Sequence, residues 1–268
     1  GLFASFFHLG RPERAWRSAA RWRTSWLSRE VIVLPAFMGT TLLYAMVHFL
    51  HLGEALATLP SGAAIDATLL VGLAGVVLAV ALFVCTGMIY ACLPFLREWA
   101  TPLTVVNFML LGCASGFGLA AAYATSAAPA LVRFLAAGAL ILTLLGLAGR
   151  GAALVRNARL RPKSTLQTAI GIKHPRIVQK SQGFMGGSFN TREFFHGRSA
   201  PFFRSIRWFS LLGAFALPAL LLVAGLAGGP KAAVIVAFAV QYVGLLAERW
   251  YFFAQSNHPQ NLYYQSIG

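Results

Sequence analysis

Apolar and polar residues follow one another in long blocks along this chain. Six apolar blocks reach or approach the roughly 20 residues that a helix needs to cross the hydrocarbon core of a membrane. The blocks cover residues 31–52, 67–95, 102–124, 129–149, 208–226 and 232–254. The pattern predicts six complete transmembrane helices and an all-α polytopic helix bundle. We expect residues 1–268 to form a single membrane domain.

The first seven residues, GLFASFF, are apolar but too few to cross a membrane. They lack the charged start and the cleavage site of a signal peptide. We expect them to be the tail of a helix that ends at His8. The six complete spans would then follow this tail.

Composition also indicates a membrane protein. Hydrophobic residues make up 58% of the chain and charged residues 11%, whereas about 25% of an ordinary soluble domain is charged. The net charge of +15 would suggest nucleic-acid binding in a soluble protein. Here the positive residues lie between the apolar blocks, where they determine topology. We therefore expect membrane lipids as partners, and no nucleic acid.

Isolated polar residues within the blocks give weak signals of chemistry. Cys85, Cys92 and Cys113 form no pair or cluster with zinc or iron–sulfur spacing, so we expect no metal site and no covalently bound cofactor. His48 and His51 share a helix face, which allows a haem or metal interpretation, but one helix turn favours structural roles. Glu248 and Arg249 are predicted to form an ion pair at a helix end.

The segment from His8 to Glu30 is the most unusual polar stretch. We interpret residues 9–29 as a basic connector at the membrane surface, because indole rings and arginines both favour the headgroup layer. Its six arginines and three tryptophans are Arg11, Arg14, Arg17, Arg21, Arg23 and Arg29, and Trp16, Trp22 and Trp26. His8 and Glu30 flank the connector where apolar helices meet the interface. Both can exchange protons near neutral pH after modest pKa shifts, which makes them candidates for quinone chemistry.

Two motifs in this region carry a family resemblance: HLGxPxRAW, from His8 to Trp16, and SxE, from Ser28 to Glu30. The chain resembles the membrane-anchor subunits of the dimethyl sulfoxide reductase family, which serve three-subunit molybdopterin oxidoreductases and exchange electrons with quinone. The resemblance implies about eight spans in a full-length member. It also implies catalytic roles for His8 and Glu30. The implied quinone site comprises His8, Gly10, Arg14, Trp16 and Glu30.

Simpler roles stay open for both catalytic candidates. A histidine at a helix end is commonly an interface residue, although the motif favours a redox role for His8. Ser28 is predicted to cap the first complete span, which would place Glu30 in its first turn, where a carboxylate suits the helix dipole. Capping and proton transfer are compatible roles for Glu30.

A second candidate function is the docking of an electron-carrying subunit. Residues 150–207 form the longest hydrophilic stretch, and its paired phenylalanines argue against disorder. We expect an ordered docking loop there. The connector arginines either bind lipid phosphates or join the docking surface. The docking candidates are Arg17, Arg21 and Arg23 in the connector, and Asn190, Arg192, Glu193 and His196 in the loop.

The distribution of positive charge predicts the orientation. If a span ends at His8 and six follow, the connector, the long loop and the C-terminus lie on one side. All but Arg133 and Lys231 of the 22 Lys and Arg residues would lie there, which makes that side cytoplasmic in a bacterial inner membrane. Cytoplasmic partners are typical of a related branch, the quinone-coupled sulfite dehydrogenases. The segments NTREFFHG and ERWYFFAQSNHPQNLYYQ also resemble that branch.

The leading hypothesis is therefore a membrane anchor that exchanges electrons with ubiquinone or menaquinone beside His8. It would pass them to or from an iron–sulfur, ferredoxin-like subunit, with the substrate, sulfite by preference, held by a molybdopterin subunit. An anchor of a sulfoxide reductase that oxidises menaquinol is the alternative. A transporter is disfavoured because the chain shows no inverted repeat and hardly any mid-membrane charge. A purely structural tether predicts that electrons bypass the chain.

Overall fold

Six helices long and apolar enough to cross a membrane follow one another along the part of the chain that the structure describes. The structure is a computed structural model that describes residues 12–52, 55–58, 60, 62, 64–161, 164–178, 180, 194 and 198–259. It confirms the predicted all-α polytopic fold class. The chain divides into two compact units, Gly1–Ile89 and Tyr90–Gly268. The single membrane domain stays a prediction.

The first unit contains two of the long helices. Its elements are a 3-10 helix (Pro12–Ala19), α1 (Trp26–Phe49), the strands β1 (Ala55–Thr58) and β2 (Ala64–Asp66), and α2 (Ala67–Ala91). The two strands are antiparallel, with Ala55 opposite Asp66. The Asp66 carboxylate accepts a hydrogen bond from the Leu69 amide at 2.7 Å. It thereby satisfies one of the backbone donors that a helix start leaves unpaired.

The second unit contains the other four spans. Its elements are α3 (Pro102–Ala127), a 3-10 turn (Pro129–Leu131), α4 (Val132–Ala158) and a short α5 (Leu166–Ile170). They are followed by α6 (Ala200–Leu211), a π-helical turn (Leu212–Ala216), α7 (Leu217–Leu226) and α8 (Lys231–Ala254). Thr101 caps α3 by accepting a hydrogen bond from the Leu103 amide at 3.4 Å. Ser199 caps α6 in the same way, through the Phe202 amide at 3.4 Å.

Several helix boundaries differ from the sequence prediction. Helix α2 ends at Ala91, before Pro94, so Cys92 lies beyond the helix although the predicted span 67–95 included it. Helix α4 continues to Ala158, and α6 begins at Ala200, so both ends of the predicted loop 150–207 are helical. The loop was predicted to begin at Arg150 because that residue is charged. Its guanidinium is instead buried against a carboxylate, and no proline interrupts the helix at this point.

Small residues let the helices of the second unit pack closely. A buried cluster of mainly alanines joins α3, α4, α7 and α8. Its fully buried members are Ala121, Ala136, Ala139, Leu222, Val234 and Ala237. Small side chains allow close backbone approach, which favours association where lipid is as apolar as the helices.

The closest approach is between the π-helical turn and α8. A Cβ atom on Gly244 would lie 2.1 Å from the Ala214 amide nitrogen, so only glycine fits there. The Gln241 side-chain amide, one turn earlier, donates to the Thr143 hydroxyl at 2.9 Å and to the Ala214 carbonyl at 3.3 Å. This bond gives a partner to a carbonyl in the turn, where the regular helical pattern is interrupted.

Gly244→Ala should destabilise the second unit. The added methyl group must push the π-helical turn away from α8, which we expect to cost about 1–3 kcal/mol or more. The variant should lower the Tm of the purified protein in detergent. Gly116→Ala is the matched control, because its Cβ would meet nothing within 4 Å. An unchanged Tm in Gly244→Ala would contradict the close contact.

Candidate functional site

Most of the arginines and tryptophans in the described part of the connector are exposed. Trp16, on the 3-10 helix, is 70% exposed. The Arg17 guanidinium lies 5.6 Å from the centroid of the Trp16 ring. Arg14 forms an exposed ion pair with Glu13 at 3.9 Å, which contributes little in water. This surface is suited to headgroup phosphates or to a polar ligand at the interface.

Arg29 holds the end of the connector against the start of α1. Its Nε donates to the Trp22 carbonyl at 2.9 Å, and its Nη2 donates to the Arg23 carbonyl at 2.9 Å. Its guanidinium also lies 4.1 Å from the centroid of the Trp26 ring. A guanidinium can make several bonds in one plane and stack on a ring at the same time. Arg29 therefore fixes the path of the chain just before Glu30.

The cap of α1 lies three residues earlier than predicted. Ser25, and not Ser28, is the N-cap, and its hydroxyl accepts a hydrogen bond from the Ser28 amide at 3.3 Å. The cap prediction for Ser28 and the first-turn placement of Glu30 are therefore wrong. The Ser25 amide itself bonds the Arg21 carbonyl at 2.9 Å. Bonds within the connector therefore position the cap, and Glu30 belongs to the second turn.

Glu30 has a partner on α2. The Thr86 hydroxyl donates to its carboxylate at 2.5 Å, and both side chains are half-buried. This bond holds the carboxylate in place between two apolar helices. Sequence reasoning missed Thr86, although a threonine in the apolar run LFVCTGMIY was the available signal.

The structure describes only part of the predicted site. Arg14 and Trp16 lie on the described 3-10 helix, and Arg21 and Arg23 are exposed farther along the connector. The remaining predicted residues lie outside the described part of the chain. These are His8 and Gly10 of the quinone site, and Asn190, Arg192, Glu193 and His196 of the docking loop.

A groove runs between α1 and α2 in the same unit. It has a volume of about 760 Å³ and is lined mainly by apolar atoms. Phe37, which lines it, is two helix turns beyond Glu30. On α2, Gly72 lies opposite Tyr44 and Gly75 lies opposite Thr40, and the absence of side chains on these glycines leaves space for the groove. The groove could hold an apolar chain, such as that of a lipid-soluble ligand.

A second polar centre lies in the other unit, where α4 and α8 meet. Glu248 is 1% exposed and pairs with the Arg150 Nε at 2.9 Å and with the Arg249 Nη2 at 2.5 Å. The predicted Glu248–Arg249 ion pair is confirmed. With its amide oxygen turned toward Arg150, Gln255 accepts hydrogen bonds from both terminal nitrogens of that arginine, each at 3.2 Å. Sequence reasoning missed Arg150 because it was assigned to the loop.

An open cavity of about 450 Å³ lies beside this centre. Arg97, Glu98, Arg161 and His258 line it. Arg97 donates to the Arg161 carbonyl, which connects the segment before α3 to the segment after α4. Burial lowers the pKa of His258 below its ordinary value, so its imidazole is neutral at neutral pH.

Six apolar helices and an arginine-rich connector define this chain as a multi-pass membrane protein. A model of the DMSO reductase anchor subunit (DmsC) matches residues 1–172. A sulfite dehydrogenase subunit from Allochromatium vinosum is 57% identical over 267 residues, which cover 100% of this chain and 82% of that relative. No solved structure matches the chain. The chain belongs to the DMSO reductase anchor-subunit family, as its motifs predicted.

Membership of this family implies that the chain is one subunit of a larger complex. An anchor subunit associates with other subunits of a reductase or dehydrogenase complex. The similar protein is a subunit of a sulfite dehydrogenase, which is an oxidoreductase. The family match covers the connector, Glu30 and Thr86.

Arg29→Lys should loosen the connector. Lysine cannot bond two carbonyls and stack on Trp26 at once, so we expect amide hydrogen exchange in residues 20–25 to rise about threefold to tenfold, for a loss near 1 kcal/mol. Arg23→Lys is the control, because it keeps the carbonyl that Arg29 binds. Unchanged exchange in Arg29→Lys would show that the two bonds do not order the segment.

Proposed function

We propose that this chain is the quinone-reactive membrane anchor of a molybdopterin oxidoreductase complex. The observation that carries the proposal is the Glu30 carboxylate, held by Thr86 between two apolar helices at the end of the arginine-rich connector. A quinone is soluble in the hydrocarbon core, and its reduction consumes two electrons and two protons. Its site therefore needs a titratable group that lies at membrane depth and still reaches the interface.

Two side chains would divide the proton chemistry. His8, as a neutral imidazole, would hydrogen-bond a quinone oxygen and supply or accept one proton there. Glu30 would exchange protons between this site and water at the surface, while Thr86 keeps its carboxylate in position. Gly10, Arg14 and Trp16 would lie around the headgroup. The groove between α1 and α2 would receive the apolar tail of the quinone.

The electrons would pass to or from an iron–sulfur subunit on the His8 side, which we propose is the cytoplasmic face of a bacterial inner membrane. Molybdopterin and iron–sulfur clusters would belong to the partners. Sulfite oxidation is the favoured reaction, since the 57% identical relative is a sulfite dehydrogenase subunit. The family description keeps a second candidate: an anchor that oxidises menaquinol for a sulfoxide reductase. Sulfite-dependent quinone reduction by the purified complex would distinguish the two.

Substitutions at the proposed site should separate quinone chemistry from assembly. In His8→Ala and Glu30→Ala complexes, quinone-coupled activity should fall about tenfold or more, because general acid–base help is typically worth at least that much. Thr86→Val keeps the side-chain shape but removes the hydroxyl donor, so its loss should be smaller. All three complexes should still react with an artificial dye through the molybdenum subunit.

The matched control for Thr86→Val is Thr125→Val, on α3 and outside the lining of the groove. The Thr125 hydroxyl donates to a carbonyl of its own helix, that of Ala122, at 2.7 Å. Its loss should leave quinone-coupled activity unchanged. Wild-type quinone activity in an assembled His8→Ala complex would place electron exchange elsewhere.

Docking of the electron-carrying subunit is tested at the long loop. If residues 183–197 bind that subunit, replacing Arg192 and Glu193 with alanine should release the soluble subunits from membranes. Release should increase with salt, because exposed charge contacts are screened. Lys173→Ala is the control, since Lys173 is an exposed cation earlier in the same loop. Retention of the subunits by the double variant at high salt would contradict the assignment.

A further inference from the structure

Four charged side chains meet at one end of the second unit. Arg150 and Glu248 are 3% and 1% exposed, and Arg249 and Glu98 line the same small cavity beside them. Two formal positive charges and two formal negative charges cancel within this cluster. Neutrality is expected, since an uncompensated charge near hydrocarbon is costly.

The direct ion pairs do not account for all four charges of the cluster. Glu248 binds both arginines, with Arg150 on Oε1 at 2.9 Å and Arg249 on Oε2 at 2.5 Å. Glu98 has no direct ion pair with any residue that the structure describes. The fourth charge of the cluster must therefore be compensated in another way.

Four buried side-chain atoms have no hydrogen-bond partner among the described residues: Glu98 Oε2, Asn107 Oδ1, Glu248 Oε1 and Arg249 Nη1. Glu248 Oε1 is ion-paired with Arg150 at 2.9 Å, so three atoms remain unpaired. Asn107 is only 5% exposed, and its Nδ2 is already used by the Gly149 carbonyl at 3.3 Å. Leaving such atoms unpaired would lower the stability of the folded protein, most of all for the charged ones.

All three residues line one cavity of about 10 Å³. This is about the volume that one water molecule requires, and a buried water typically makes two to four hydrogen bonds. Water can donate to the two acceptors, Glu98 and Asn107, and accept from the donor, Arg249. A metal cation would face the Arg249 guanidinium, and an anion would face the Glu98 carboxylate.

We propose that Glu98, Asn107 and Arg249 bind one water molecule, which completes the four-charge cluster as a water-bridged Glu98–Arg249 ion pair. Arg249 is held in place for this role by Glu248 and by stacking on Phe108, whose ring centroid is 4.2 Å from its guanidinium carbon. The water connects the segment before α3 with α3 and α8.

Glu98 also supplies the route by which this water exchanges. Its side chain lines both the small cavity and the open 450 Å³ cavity. On the open side it shares the lining with Arg97, Arg161 and His258, and on the inner side with Arg150, Glu248 and Arg249. Water would thus reach the cluster from the cavity by passing the Glu98 carboxylate.

Radiolytic hydroxyl labelling of the wild-type complex tests the site without a mutation. A short X-ray pulse splits bound water, and the radical labels the side chains that surround it. Phe252 lines the small cavity and is 4% exposed, whereas Phe215 is 1% exposed and packs in an apolar cluster. We expect Phe252 to be labelled several-fold faster than Phe215, and to incorporate ¹⁸O after transfer into H₂¹⁸O. Equal, slow labelling of both rings would overturn the proposal.

A pair of glycine variants then tests the geometry. In Gly149→Ala, the new Cβ would lie 2.4 Å from Asn107 Oδ1, so the amide must turn away from the water. Labelling of Phe252 should fall to the level of Phe215. Gly151→Ala makes the same change on α4 where nothing lies within 4 Å, and it should leave labelling unchanged. Undiminished labelling in an assembled Gly149→Ala complex would show that Asn107 does not bind the water.

Discussion

The hydrocarbon core offers no hydrogen-bond partner, and this constraint organises the protein. Backbone groups must be paired within helices, and each polar side chain must reach either a partner or the interface. Where the π-helical turn interrupts the helix before α7, Gln241 binds the Ala214 carbonyl. Where charge enters the second unit, Glu248 forms ion pairs with two arginines. Elsewhere the spans are apolar and pack through alanine and glycine.

The first unit uses the same chemistry at its interface. Arg29 binds two connector carbonyls, Ser25 caps α1, and Thr86 takes up the carboxylate of Glu30. These contacts hold the Glu30 carboxylate between the ends of two apolar helices. In the proposed function, a lipid-soluble quinone would meet water there. The proposed function depends on that placement, together with family membership.

Hydropathy was sufficient to predict the number, order and type of the spans. Each apolar block is so long that an uncertain assignment of a few residues at its ends does not change its identification as a span. The motif around His8 was sufficient for the family. The cap of α1 was not predictable, since Ser25 and Ser28 both precede the apolar block 31–52, and the contacts of Arg29 and Arg21 select between them. Thr86 is 56 residues from Glu30, and the burial of Arg150 depends on Glu248. Such tertiary contacts leave no periodic signal in the sequence.

The central claim is that quinone reacts beside Glu30 in the first unit. A photoreactive quinone analogue, bound to the assembled complex and cross-linked with and without excess natural quinone, tests this claim most directly. Mass spectrometry of the peptides identifies the labelled residues. We expect competed labelling in the peptides that contain Glu30 or Thr86. Competed labelling confined to residues 90–268 would contradict the account.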